Sequence, residues 1–151
     1  MSPAAMRASW IALAAVAALM AAAVAFGRQP ASALALAAPS FVLLAINLFV
    51  IGRFAAEPAG SLVLCMDRQV AKWGYLLIAI VAYAWLVLTV ANDWLPQKSA
   101  AAALTVALSF PAGRDLIEYA DDPSELTPAI KRTLFAALAH GSVLAGVLAL
   151  A

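Results

Sequence analysis

Hydrophobic and polar positions along this chain segregate into long apolar blocks divided by isolated charges. Charge-free windows cover residues 8–27, 32–52, 73–92 and 133–151, and a shorter one covers 99–113. A bilayer core about 30 Å thick requires roughly 20 apolar residues in a helix. The four long windows therefore predict four membrane-spanning helices. The fifth, with 15 residues, predicts a short span or a re-entrant segment.

The basic residues decide between those two readings. With five crossings, Arg7, Arg53, Arg68, Lys72, Arg114, Lys131 and Arg132 fall on one side, and Arg28 and Lys98 on the other. Lys and Arg collect on the cytoplasmic face, so seven against two places the N-terminus inside and the C-terminus outside. If 99–113 did not cross, four bases would face five and the bias would vanish. The expected architecture is an all-α integral membrane bundle, one domain over residues 1–151, with five spans and an N-in/C-out topology. The stretch 8–27 exceeds the roughly 7–15 residues of a signal-peptide core, so it is expected to remain as the first span.

Composition agrees with the block pattern. Apolar residues make up 66% of the chain and charged residues 11%, and the mean hydropathy is +0.98, against roughly 25% charged in soluble domains. The single Cys65 permits no internal disulfide, and its apolar surroundings suit a packing role. No CxxC, HExxH, P-loop or dinucleotide-binding glycine pattern occurs. The expected location is a bacterial inner (cytoplasmic) membrane. Membrane lipids and other transmembrane chains, including further copies, are the expected partners, and nucleic acid is not.

Polar residues inside apolar windows attract attention because burial in lipid is costly unless they are partnered. Asn47 lies about one and a half turns before the inner boundary of the second window. An interhelical hydrogen bond is its first reading and a ligand contact its second. Pro39 in the same window removes a backbone donor and predicts a kink. His140, within the run HGSVLAG, has small neighbours and no companion at metal-ligand spacing. It reads as a hydrogen-bonded packing residue, with a proton relay as the alternative. Trp73 and Trp94 bracket the third window as interfacial anchors. The alanine-rich first window suits close helix packing.

Two loops collect the remaining charge. The stretch NLFVIGRFAAEPAGSLVLCMDRQ, residues 47–69, together with Lys72, places Arg53, Arg68 and Lys72 at the inner interface. Such a cluster attracts anionic headgroups or a diphosphate at about 1 kcal/mol per base, or it sets orientation alone. The stretch RDLIEYADDPSELTPAIKR, residues 114–132, is acidic in its middle. Thr127 and Pro128 mark a helix start there. Asp121 and Asp122 are weak candidates for a divalent cation; otherwise no metal ligand set is apparent, and the acidic run reads as solvated surface.

The order of these features resembles the second half of the UbiA superfamily of intramembrane prenyltransferases. A soft loop, an apolar patch with a basic end, and then KWGY opening an aromatic-rich span all follow that family's sequence. WGYLLIAIVAYAWLVLTVANDWLPQ is similar to the family's seventh span, and DPSELTPAIKRTLFAALAHGSVLAGVLALA to its last segment. The five windows would match the last five of nine spans. The family's aspartate-rich motif would fall in the opening loop, where this chain has NLFVIGRFAAEPAG and only Glu57. No catalytic residue carries over, and no Mg²⁺–diphosphate clamp can be assembled from that loop.

Three functions remain open from the residues. The chain is a UbiA-like half that has lost catalysis and serves as a lipid- or isoprenoid-binding or structural subunit. Or it is half of a two-chain prenyltransferase that uses a prenyl diphosphate, with Mg²⁺ held through the other chain. Or it is an unrelated small assembly or stabilising subunit. No cofactor is expected outside the second reading.

Overall fold

A computed structural model describes the backbone of residues 3–27, 30–56, 68–119 and 123–150, and side chains over 7–27, 30–52, 72–119 and 125–150. Glu57, Cys65, Asp121 and Asp122 lie outside the described residues, as do the side chains of Arg53 and Arg68. The regular elements among them are all helical. They are α1 (Pro3–Phe26), α2 (Ala31–Ala56), α3 (Arg68–Ala91), a 3₁₀ segment (Gln97–Thr105) running into α4 (Val106–Glu118), and a 3₁₀ turn (Pro123–Leu126) leading into α5 (Thr127–Leu150). Five helical stretches are long and apolar enough to cross a membrane.

α5 is the hub. It packs against α1, α2, α4 and the 3₁₀ segment, while α2 joins α3 on its other side. Its inward face carries Ala129, Thr133, Ala136, Ala137, His140, Gly141, Leu144 and Leu148, a stripe at three- and four-residue intervals. The stripe is dominated by small side chains, so neighbours approach closely. A Cβ added at Gly141 would lie 2.4 Å from Val16 Cγ1 and 2.7 Å from Phe41 Cδ2. Glycine at that position is what lets α1, α2 and α5 meet.

The expected short fifth span is corrected in length. The helical stretch covers Gln97–Glu118, 22 residues, because the helix continues past Arg114 rather than stopping at it. Arg114 stays exposed and pairs with Glu118 at 3.6 Å, one turn on. Asp115 pairs with Arg132 of α5, so the two charges that bound the apolar window are accommodated beside the helix. The first nine residues are 3₁₀, which rises about 2.0 Å per residue against 1.5 Å for an α-helix. The whole stretch therefore reaches about 37 Å. Ser99, Ala102 and Thr105 are its buried positions, one residue in three, as three residues per turn demands.

α3 ends in a Schellman turn. Trp94 N–H donates to Thr89 O at 2.9 Å and Asp93 N–H to Val90 O at 3.1 Å, with Asp93 at φ 57°. Aspartate tolerates this left-handed geometry better than most residues. Trp73 and Trp94, near opposite ends of α3, are 66% and 54% exposed. In α2, Pro39 leaves the Ala35 carbonyl without its usual donor. The adjoining turn is tied from α3, where Trp85 Nε1 donates to Leu36 O at 2.9 Å, and from within α2, where Ser40 Oγ is 3.0 Å from Ala37 O.

Candidate functional site

His140 sits at the middle of α5 with no exposed surface. Its Nε2 is 2.9 Å from Ser40 Oγ on α2. Its Nδ1 is 3.1 Å from Thr105 Oγ1 and 3.2 Å from Ala102 O. A carbonyl oxygen only accepts, so Nδ1 carries a proton and donates toward Ala102 O and Thr105 Oγ1. In the singly protonated ring Nε2 is then an acceptor, and it competes with Ala37 O for the single proton of Ser40. One imidazole thus ties α2 and α5 to the point where the 3₁₀ segment becomes α4.

The chain of hydroxyls continues outward from there. Thr105 Oγ1 donates to Ala102 O at 2.6 Å, which commits its single proton. Tyr83 OH on α3 lies 3.1 Å from Thr105 Oγ1 and 2.8 Å from Ser109 Oγ. The Tyr83 ring stands edge-on to His140, with centroids 5.7 Å apart at 86°, a favourable aromatic geometry. Five polar side chains from five elements, Ser40, His140, Thr105, Tyr83 and Ser109, therefore form one connected chain through the centre of the bundle.

Tyr83 and Ser109 also border a groove of about 730 Å³ between α3 and α4. α3 and α4 pack on each other more sparsely than α2 on α3 or α4 on α5. They approach closely at Gly113, where a Cβ would meet Leu76 Cδ2 at 3.0 Å and Tyr75 Cε1 at 3.7 Å. Beyond that contact the groove walls are Ala79, Ile80, Ala84 and Val87 on one side and Val106, Phe110 and Ile117 on the other. Arg114 lies at one end. Among the described residues no Asp or Glu lines the groove.

A second polar cluster lies beside the groove. Asn47 Nδ2 donates to Tyr75 O at 3.1 Å, linking α2 to α3, while Asn47 Oδ1 is buried without a partner. Tyr75 OH is 2.8 Å from Thr133 Oγ1, which donates to Ala129 O at 2.9 Å. The tyrosine hydroxyl therefore acts as donor to threonine and joins α3 to α5.

Of the residues singled out in the sequence, the structure brings Asn47 and His140 into these two clusters and places Lys72 half-buried in the first turns of α3. Lys72 is one turn before Leu76 and so shares its face. Arg53 and Arg68 belong to α2 and α3, with side chains outside the described region. Asp121 and Asp122 fall outside it altogether. Among the described residues no three or more His, Cys, Asp or Glu side chains gather. Sequence reading passed over Ser40, Tyr83, Thr105, Ser109 and Arg114 as site residues. The available signal was the spacing of Thr105 and Ser109, four residues apart on one face of an apolar window. No family model, curated protein or solved structure matches the chain.

Proposed function

We propose that this protein is a non-catalytic subunit of a bacterial inner-membrane complex that holds the hydrocarbon chain of a lipid or isoprenoid between α3 and α4. In this reading the five helices span the bilayer N-in/C-out. The Arg114 end of the groove is cytoplasmic, and the chain is related to the second half of the UbiA superfamily. The groove is the observation that carries the reading: its walls are aliphatic and aromatic over about 18 Å of helix, from Tyr75 to Val87. Its polar atoms are confined to the floor and one end.

Lipid that co-purifies in mild detergent, identified by native mass spectrometry, tests this. Ala79 lies one turn before Tyr83 on the groove face, so Ala79→Trp fills the groove. It is expected to remove most of the bound lipid while the protein stays monodisperse. Unchanged lipid content in that variant would sink the groove as the binding site.

A structural role has one observation in its favour. Between α1 and α5 runs an outer cleft of about 440 Å³, bordered by Leu19, Ala22, Ser142, Gly146 and Ala149. A Cβ at Gly146 would meet nothing within 4 Å, so a larger residue fits the isolated chain. Small residues let helices of other chains approach closely in lipid. Gly146→Ile is therefore expected to leave the melting temperature unchanged and to release any partner chain on native gels. A complex that survives the substitution would exclude this cleft as the contact.

A further inference from the structure

We infer that the α3/α4 groove selects a long-chain carboxylic acid bearing a hydroxyl part-way along its chain, with the carboxylate against Arg114 and the hydroxyl donating to Ser109 Oγ. The inference rests on the groove being a lipid site and adds the chemistry of the lipid.

The direction of the hydroxyl chain supplies the first half of the argument. Thr105 spends its proton on Ala102 O at 2.6 Å. The 3.1 Å contact between Tyr83 and Thr105 can then be bridged only by the proton of Tyr83. The 2.8 Å contact between Tyr83 and Ser109 must in turn be bridged by the proton of Ser109. Every hydrogen bond points inward, from Ser109 to Tyr83 to Thr105 to a backbone carbonyl. A hydroxyl has one donor and two acceptor sites, so Ser109 Oγ is left at the groove with lone pairs and no proton to offer. A ligand alcohol complements that end. A ligand ketone or ether, which can only accept, does not.

Charge supplies the second half. Among the described residues that line the groove Arg114 alone is charged; Glu118 lies 3.6 Å from it, and Asp115 and Arg132 beside it pair with each other. A single cation at the groove suits a singly charged head better than a phosphate or diphosphate. Arg114 Nε faces Glu118, and the guanidinium has four further N–H donors for a carboxylate. Ser109 and Arg114 are five residues apart, about 7.5 Å along the helix plus the reach of the arginine side chain. A hydroxyl adjacent to the carboxylate cannot bridge that gap; one near the middle of an acyl chain can.

Competition among stearate, 2-hydroxystearate, 10-hydroxystearate and 10-oxostearate, read by native mass spectrometry on the purified chain, tests the proposal. The 10-hydroxy acid is expected to be retained about three- to tenfold above stearate, the span of one net hydrogen bond. The 2-hydroxy and 10-oxo acids are expected to stay at the stearate level. Ser109→Ala is expected to erase the advantage of the 10-hydroxy acid over stearate. Tyr83→Phe frees the Ser109 proton and brings the 10-oxo acid up toward the 10-hydroxy acid, an inversion that a merely structural tyrosine would not produce. Equal retention of stearate and 10-hydroxystearate by the unmodified chain overturns the selectivity while leaving the groove as a lipid site. Retention of none of the four acids, together with unchanged native lipid in Ala79→Trp, overturns both.

Discussion

Gly141→Leu is expected to abolish the folded bundle. The first atom of any side chain there would lie 2.4 Å from Val16 Cγ1 and 2.7 Å from Phe41 Cδ2 and Cε2. Neither neighbour has room to retreat, since Val16 is 7% and Phe41 4% exposed. The three residues belong to α1, α2 and α5, so relief requires a whole helix to move. Overpacking of a tight core typically costs 1–3 kcal/mol for small additions. Gly141→Ala is expected within about that range, and leucine well beyond it. Fluorescence-detected size exclusion after a temperature ramp distinguishes the three proteins. A leucine variant that elutes and melts like the parent would show that α1 does not pack on α5 as described.

His140→Ala is expected to cost about 3–5 kcal/mol, combining a side-chain-sized cavity with the loss of hydrogen bonds on both ring nitrogens. Interhelical hydrogen bonds in lipid average below about 1 kcal/mol each, so the cavity makes up the larger part. His140→Phe keeps most of the volume and removes the polar contacts alone. Its cost is expected to be about 1–2 kcal/mol, and the ratio of the two measures how much the imidazole contributes by filling space. Reversible unfolding in mixed micelles reads both. Equal destabilisation by the two variants would mean that the hydrogen bonds, rather than the packing, hold this junction.

The five helices were legible because lipid imposes a simple rule on sequence: charges are expelled from long apolar stretches, and Arg28, Arg53, Lys72 and Asp93 mark the edges. The same rule misread the length of the stretch that begins at Gln97. Arg114 and Asp115 look like an end, yet one lies exposed on the helix surface and the other is neutralised by Arg132. Nothing in QKSAAAALT distinguishes a 3₁₀ helix from an α-helix, and its contacts with His140 at Ala102 O and Thr105 Oγ1 lie far along the chain. The polar chain was hidden for a related reason. Ser40 and His140 are 100 residues apart, and serine, threonine and tyrosine are unremarkable in an apolar helix when each is met singly. Asn47 stood out as an amide in an apolar window, and its contact with Tyr75 O could not be foreseen from residues 28 positions apart.

The switch from 3₁₀ to α at Thr105 and Val106 also sets how this segment tolerates change. Before the switch, substitutions at Ser99, Ala102 and Thr105 meet the bundle and those between them meet its surroundings, a strict beat of three. After it, Ser109, Ala112, Gly113 and Leu116 are the buried positions, spaced by three and four. A saturation scan across residues 97–118 should therefore show its intolerant positions change rhythm at one point in the sequence, and that point is where His140 takes hold of the chain.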